Sequence, residues 1–250
     1  MSDFTGKAGL VTGAGSGIGR ASALGFAMRG AAVAVLDIDR DHALATAELI
    51  NASGARALAL QVDVGDEGSV RDAVGRVVSE FGGIDFAHNN AGIMTGNALI
   101  EDLATDEWET MLRVNLTGVF YCMKYELPHL VARGGGSIVN TASNAGLHAV
   151  RGMPAYVAAK HGVVGLSKAA AVDYGDKNVR VTALCPGSTR TPMLEEFTAG
   201  TDGASRREQA IPLGRLGTPE ELADVAIWLC SDESSFVTGI AVSADGGRRA

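Results

Sequence analysis

Short apolar runs alternate along this chain with longer stretches in which apolar positions recur every three or four residues. Residues 32–36, Ala-Val-Ala-Val-Leu, are apolar throughout, as a parallel strand covered on both faces should be. Residues 8–12, 56–62, 84–88, 137–141, 179–184 and 237–243 read as further strands. Between them, helical periodicity predicts helices over 18–29, about 41–52, 66–81, 106–132 and 155–174. Another helix opens at Thr218-Pro219-Glu220-Glu221, where a cap, a first-turn proline and acidic residues follow one another. Asp41 is placed to cap the second helix and Thr105 the long one. Pro128 predicts an end or a bend in the long helix.

A strand followed by a helix, repeated about six times, predicts an α/β fold. Parallel strands need right-handed crossovers, so the economical arrangement is one Rossmann-type doubly wound domain over 1–250. Its central parallel sheet would have about seven strands flanked by helices. The least regular stretch is 188–217, which holds Thr198-Ala199-Gly200-Thr201-Asp202-Gly203. So long an insertion is read as a substrate lid, with an idle surface loop as the alternative.

Composition narrows the function classes. Apolar residues make up 46% of the chain, aromatics only 5%, and there are 33 glycines, so the core is packed from small side chains. The net charge is −8, and basic residues are scattered, with Arg206-Arg207 and Arg248-Arg249 only pairs. No concentrated positive field exists for nucleic acid, and no basic cluster marks a phosphate or CoA site. Cys122, Cys185 and Cys230 are far apart and lack metal-ligand spacing, so they read as reduced thiols and no metal is expected. The first twelve residues lack a signal-peptide pattern and no apolar run reaches a membrane span of about 18 residues, so a soluble cytoplasmic protein is expected.

The turn after the first strand is Thr12-Gly13-Ala14-Gly15-Ser16-Gly17-Ile18-Gly19. Its glycines are spaced GxxxGxG rather than GxGxxG, but the physics is shared. The backbone can turn sharply, and the free amides at a helix start can meet a pyrophosphate. Asp37 ends the second strand, with Ile38 after it, where a carboxylate can accept from ribose hydroxyls and would repel a 2′-phosphate. That favours NAD, although Arg40 nearby could reach a phosphate. Asp63 and Val64 end the third strand, and Asn89-Asn90-Ala91-Gly92 the fourth, at the sheet edge where a dinucleotide would lie.

Tyr156 and Lys160 stand four apart on a predicted helix and so share a face. A phenol ordinarily titrates near pH ~10, too high for efficient proton exchange at neutrality, and a nearby ammonium lowers that value. With five lysines and four tyrosines in the chain, the spacing arises by chance with a probability of roughly 8%, so position carries the argument. Ser143, just after the fifth strand, is placed to hold a substrate oxygen, and the Asn115 amide to hold a water linking Lys160 to solvent. Either could instead be an ordinary turn serine or buried asparagine.

In order, the glycine turn, Asp63-Val64, Asn89-Asn90-Ala91-Gly92, Asn115, Ser143, Tyr156/Lys160, Pro186-Gly187-Ser188-Thr189-Arg190-Thr191, Pro212-Leu213-Gly214-Arg215 and Asp245-Gly246-Gly247 resemble the classical short-chain dehydrogenases/reductases over essentially the whole chain. The resemblance implies that Tyr156 is the acid/base, that Lys160 lowers its pKa and binds the nicotinamide ribose, and that Ser143 orients a carbonyl. It also implies that Asn115 completes a proton relay, that Pro186, Gly187, Thr189 and Thr191 face the nicotinamide half, and that the protein is a homotetramer through its helices at 106–132 and 155–174. The expected activity is NAD-dependent interconversion of a secondary alcohol and a ketone. A 3-oxoacyl-thioester reductase and a non-catalytic NAD-binding sensor are the alternatives. By position, Met94, Asn144, Leu147, His148, Met153 and Met193 are candidate substrate contacts, although His148 could equally be a surface histidine.

Overall fold

The computed structural model describes residues 2–95 and 98–249. Seven strands form one parallel sheet: β1 (Ala8–Thr12), β2 (Ala32–Asp37), β3 (Ala57–Gln61), β4 (Phe86–Asn89), β5 (Gly136–Thr141), β6 (Val179–Pro186) and β7 (Ala241–Ala244). Their order is β3-β2-β1-β4-β5-β6-β7. The chain therefore reverses its direction of travel across the sheet between β1 and β4. A crevice opens there at the carboxyl ends of the strands.

The strand pleat sorts side chains into two cores. Val11, Val33 and Val35 face one side with Phe26, Phe86 and Ile227, whereas Leu10, Ala34 and Leu36 face the other with Val74, Leu130 and Ile138. Phe26 and Phe86 stack with centroids 4.2 Å apart, and Phe4 closes on both edge-on.

The helices are α1 (Gly17–Met28), α2 (Arg40–Ala52), α3 (Glu67–Phe81), α4 (Thr105–Leu112), α5 (Gly118–Ala132), α6 (Pro154–Tyr174), α7 (Pro192–Thr198), α8 (Gly203–Gln209) and α9 (Pro219–Cys230). Five details differ from the expectations. Asp39, not Asp41, caps α2, accepting from the amides of Asp41 and His42. The long helix is α4 and α5 joined by a π-helical turn over Arg113–Thr117, and Ala104, which has no capping oxygen, precedes it instead of Thr105. Pro128 sits inside α5, which continues to Ala132. The stretch 188–217 is not irregular: Thr191 caps α7 and α8 follows, and Thr189 and Gly217 bridge its two ends. The last strand is shorter than expected and starts at Ala241.

Other signals hold. Thr218 and Glu221 form a reciprocal capping box at the start of α9, and Asp66 caps α3. Among the described residues no helix is long and apolar enough to cross a membrane.

Candidate active site

A cavity of 630 Å³ lies over the carboxyl ends of β1, β2, β4, β5 and β6, within the size range of small-molecule sites. Gly13, Ser16, Gly17, Ile18, Asp37, Ile38, Asp63, Val64, Asn90, Ala91 and Gly92 line one part of it. Asn115, Ser143, Tyr156, Lys160, Pro186, Gly187, Thr189 and Thr191 line the rest, with Met94, Asn144, His148, Met153 and Met193. Gly15, Gly19 and Leu147 are not in its wall. Gly15 donates its amide to Asp37 Oδ2 at 2.8 Å, and Gly19 packs against the Gly13 carbonyl, so these two shape the turn from behind.

The glycine turn fits a phosphate. Gly13 has φ +62°, and a Cβ there would lie 2.9 Å from Ala91 Cα, so only glycine lets β1 turn this close to β4. Ser16 precedes α1 without a side-chain capping bond, leaving its first-turn amides available to an anion. Thr12 ties the turn to β4, its hydroxyl accepting from the amides of Asn90 and Ala91 at 2.9 and 3.0 Å. At the far end the Asp37 carboxylate also accepts from the Asp39 amide at 2.9 Å, which holds it at the cavity wall. Arg40 is exposed at the start of α2, away from that wall, and Asp39 is engaged as the cap. These donors and the carboxylate fit a dinucleotide whose adenosine ribose carries free hydroxyls.

Tyr156 and Lys160 rise from the first turns of α6, which Pro154 opens. Lys160 is 3% exposed and donates from Nζ to the Thr141 carbonyl at 2.9 Å, with the Tyr156 ring centroid 5.7 Å away. Burial pulls the Lys160 pKa down to about 8. The Tyr156 hydroxyl departs from expectation. Burial pushes its pKa up, and a hydrogen bond to Ser143 and the charge of Arg207 offset only part of that. The ammonium expected to lower it is itself desolvated and held by Thr141.

Asn115 is fully buried at the centre of the π-helical turn, where the Gly118 amide reaches back five residues to the Arg113 carbonyl. Its side chain does not reach Lys160. It accepts from the Ile93 amide at 3.1 Å and donates to the Ile93 carbonyl at 3.0 Å, clamping the chain that follows β4. Gly92 lies over this clamp: a Cβ there would come 2.6 Å from Asn115 Oδ1 and 3.5 Å from Lys160 Nζ. The Asn144 side chain is also committed, donating to Asp245 at 2.8 Å and accepting from Ser243 at 3.0 Å, so it anchors the wall instead of reaching inward.

Four contributors had no sequence signal of their own. Thr141 and Ile93 act through main-chain atoms, which composition cannot flag. Arg207 and Arg248 belong to arginine pairs far apart in the chain, yet one member of each lines the cavity.

The family model described as enoyl-(acyl carrier protein) reductase matches residues 13–249. The chain is 44% identical over 243 residues to a cyclohexanol dehydrogenase from Acinetobacter sp. (strain SE19), covering 97% of this chain and 95% of that protein. It superimposes with a TM-score of 0.95 on carveol dehydrogenase from Mycobacterium avium, solved in complex with NAD, at 30% identity and 99% coverage of each chain. A 3-ketoacyl-(acyl-carrier-protein) reductase from Brucella melitensis, complexed with NADH, gives a TM-score of 0.92 at 35% identity, covering 99% of this chain and 100% of that one. With this sheet order and likeness over nearly its whole length, the chain belongs to the classical short-chain dehydrogenases/reductases and is an oxidoreductase of that family.

Proposed function

We propose that this protein uses NAD(H) to interconvert a secondary alcohol and a ketone. One observation carries the reading: Ser143, Tyr156 and Lys160 line the same cavity as the glycine turn and Asp37, with methionines at the substrate side. When bound, NAD supplies the hydride acceptor at its nicotinamide carbon. The Ser143 hydroxyl holds the substrate oxygen, and the Tyr156 hydroxyl exchanges the proton with it. Lys160, with its ammonium 5.7 Å from the Tyr156 ring, would bind the nicotinamide ribose, and Asn115 keeps Gly92 and Ile93 in place beside it. Pro186, Gly187, Thr189 and Thr191 form the wall for the nicotinamide half, and the segment 188–217, carrying α7 and α8, is the substrate lid of a single catalytic domain.

The likeness to a cyclohexanol dehydrogenase and a carveol dehydrogenase supports a cyclic, modestly apolar alcohol. A 3-oxoacyl-thioester reductase is the second reading, supported by the Brucella reductase, whose NADH shows that cofactor choice alone does not separate the two. We also infer a soluble, cytoplasmic homotetramer joined through α5 and α6, where Phe120 and Val172 are exposed apolar residues. Light scattering measures the tetramer directly.

The deciding experiment follows NAD⁺ reduction over a panel of secondary alcohols, with reduction of acetoacetyl-CoA in parallel. Tyr156→Phe is expected to lose about 10²- to 10⁴-fold in kcat while still binding NAD⁺. Near-normal turnover by that variant would sink the mechanism, and a preference for acetoacetyl-CoA would favour the second reading.

A further inference from the structure

The substrate side of the cavity carries cations with no carboxylate facing them. Arg207, on α8, lines the cavity and is half-buried, its guanidinium 5.4 Å over the Phe197 ring. Stacking of this kind fixes the plane of the fork. Arg248 reaches the same cavity from the C-terminal turn, steered by a 2.7 Å hydrogen bond from Nη1 to the Ala210 carbonyl just beyond α8. Among the described residues neither makes an ion pair, although nearby arginines do: Arg206 with Asp202, and Arg190 with Glu208.

The carboxylates that line the cavity, Asp37 and Asp63, belong to the glycine-turn end, and Asp63 is paired with Arg113. His148 lines the arginine end, and its buried Nδ1 has no partner. Arg207 lies close enough for its charge to act on Tyr156, while burial and the nearby Arg248 both work against its protonated form. Arg207 is half-buried and Arg248 exposed, and two like charges gathered at one wall are unfavourable unless an anion completes the set. The planar forks match a carboxylate geometrically.

We propose that Arg207 and Arg248 bind a carboxylate carried by the substrate, so that the preferred substrate is an anionic secondary alcohol with its hydroxyl at Ser143 and Tyr156 and its carboxylate at the arginines. This rests on the alcohol–ketone reading of the same cavity and adds the substrate class to it.

The test compares kcat/KM for NAD⁺-linked oxidation of 4-hydroxycyclohexanecarboxylate, its methyl ester and cyclohexanol. The acid should be preferred over the ester by about 10- to 100-fold, the size of one or two charge-assisted hydrogen bonds. Arg207→Leu should bring the acid-over-ester ratio of kcat/KM to within about threefold of unity, whatever loss both share through Tyr156, with the KM for NAD⁺ little changed, and Arg207→Lys should restore part of the ratio. Arg248→Leu, in a turn outside any helix, should act in the same direction. The thermal shift that 4-oxocyclohexanecarboxylate adds to that of NADH alone should be present in the wild type and absent in Arg207→Leu.

Equal turnover of acid and ester overturns the proposal, and so does an equal loss on both in the variant. A raised KM for NAD⁺ would assign the arginines to the cofactor, and a loss confined to acetoacetyl-CoA would assign them to a thioester's phosphates. If neutral alcohols are oxidised and no anionic one is, the carboxylate site fails while the alcohol dehydrogenase stands. If no secondary alcohol is oxidised at all, the underlying functional reading falls.

Discussion

Lys160 donates its ammonium proton to the main-chain carbonyl of Thr141 across a 2.9 Å hydrogen bond. The bond joins α6 to the end of β5 and holds the buried ammonium at the cavity wall. Burial brings the Lys160 pKa to about 8, so the charge is present below that pH and is lost as pH rises through it. Lys160→Met keeps the buried stem and deletes the ammonium, and should lower kcat by about 100-fold or more. For ketone reduction, kcat/KM should fall as pH rises above about 8 in the wild type. In an active Lys160→Arg variant that inflection should disappear, because a guanidinium stays charged. A pH profile unchanged in Lys160→Arg would refute the assignment.

Asp37 accepts from the amides of Gly15 and Asp39, which holds its charge at the cavity wall where the adenosine ribose of NAD would lie. Asp37→Ser should shift the ratio of kcat/KM for NADPH over NADH upward by about 10- to 100-fold, the size of one close charge contact. Steady-state assays with both cofactors measure it. A wild-type enzyme that prefers NADPH contradicts the role given to Asp37.

Gly92 has no room for a side chain, since a Cβ would meet Asn115 Oδ1 at 2.6 Å. Gly92→Ala should therefore push the Asn115 clamp off Ile93, with a loss of about 1–3 kcal/mol in denaturant unfolding and a fall in kcat. Retention of wild-type stability and turnover would show that this contact relaxes freely.

Glu126, on α5, is fully buried against the end of β4, held by Asn89 at 3.0 Å, and burial raises its pKa to about 8 from an ordinary 4.5. Since the folded-state value is the raised one, its contribution to stability is complete below about pH 4.5 and is lost as pH rises through about 8. Glu126→Gln keeps an acceptor for Asn89 and removes the titration. The difference in Tm between variant and wild type should grow in the variant's favour from pH 5 to about 8. A difference independent of pH would mean that Glu126 does not titrate in this range.

Much of the fold is legible in the chain because its determinants are local. The uninterrupted apolar run 32–36 can only be a strand buried on both faces, and β2 is buried from Val33 to Leu36. Asp66 and Thr218 cap helices where they stand in sequence because a cap needs only the amides two or three residues on. Boundary errors arose where two local choices compete. Asp39 and Asp41 are both plausible caps, and which of them holds the first amides depends on how β2 delivers the chain.

The same division runs through the candidate site. The sequence by itself determined which residues could do chemistry: a glycine turn after β1, a carboxylate ending β2, and a tyrosine and lysine one helical turn apart. Tertiary structure alone decided how they are held, because the holding groups come from distant segments. The Thr141 carbonyl meets Lys160 from another element, and Asn115 sits in a π-helical turn with its amide spent on Ile93. Arg207 and Arg248, read along the chain as two unrelated pairs, meet at one cavity because α8 and the C-terminal turn fold over the same strand ends. Spacing along a helix fixes which side chains share a face, but packing fixes what faces them.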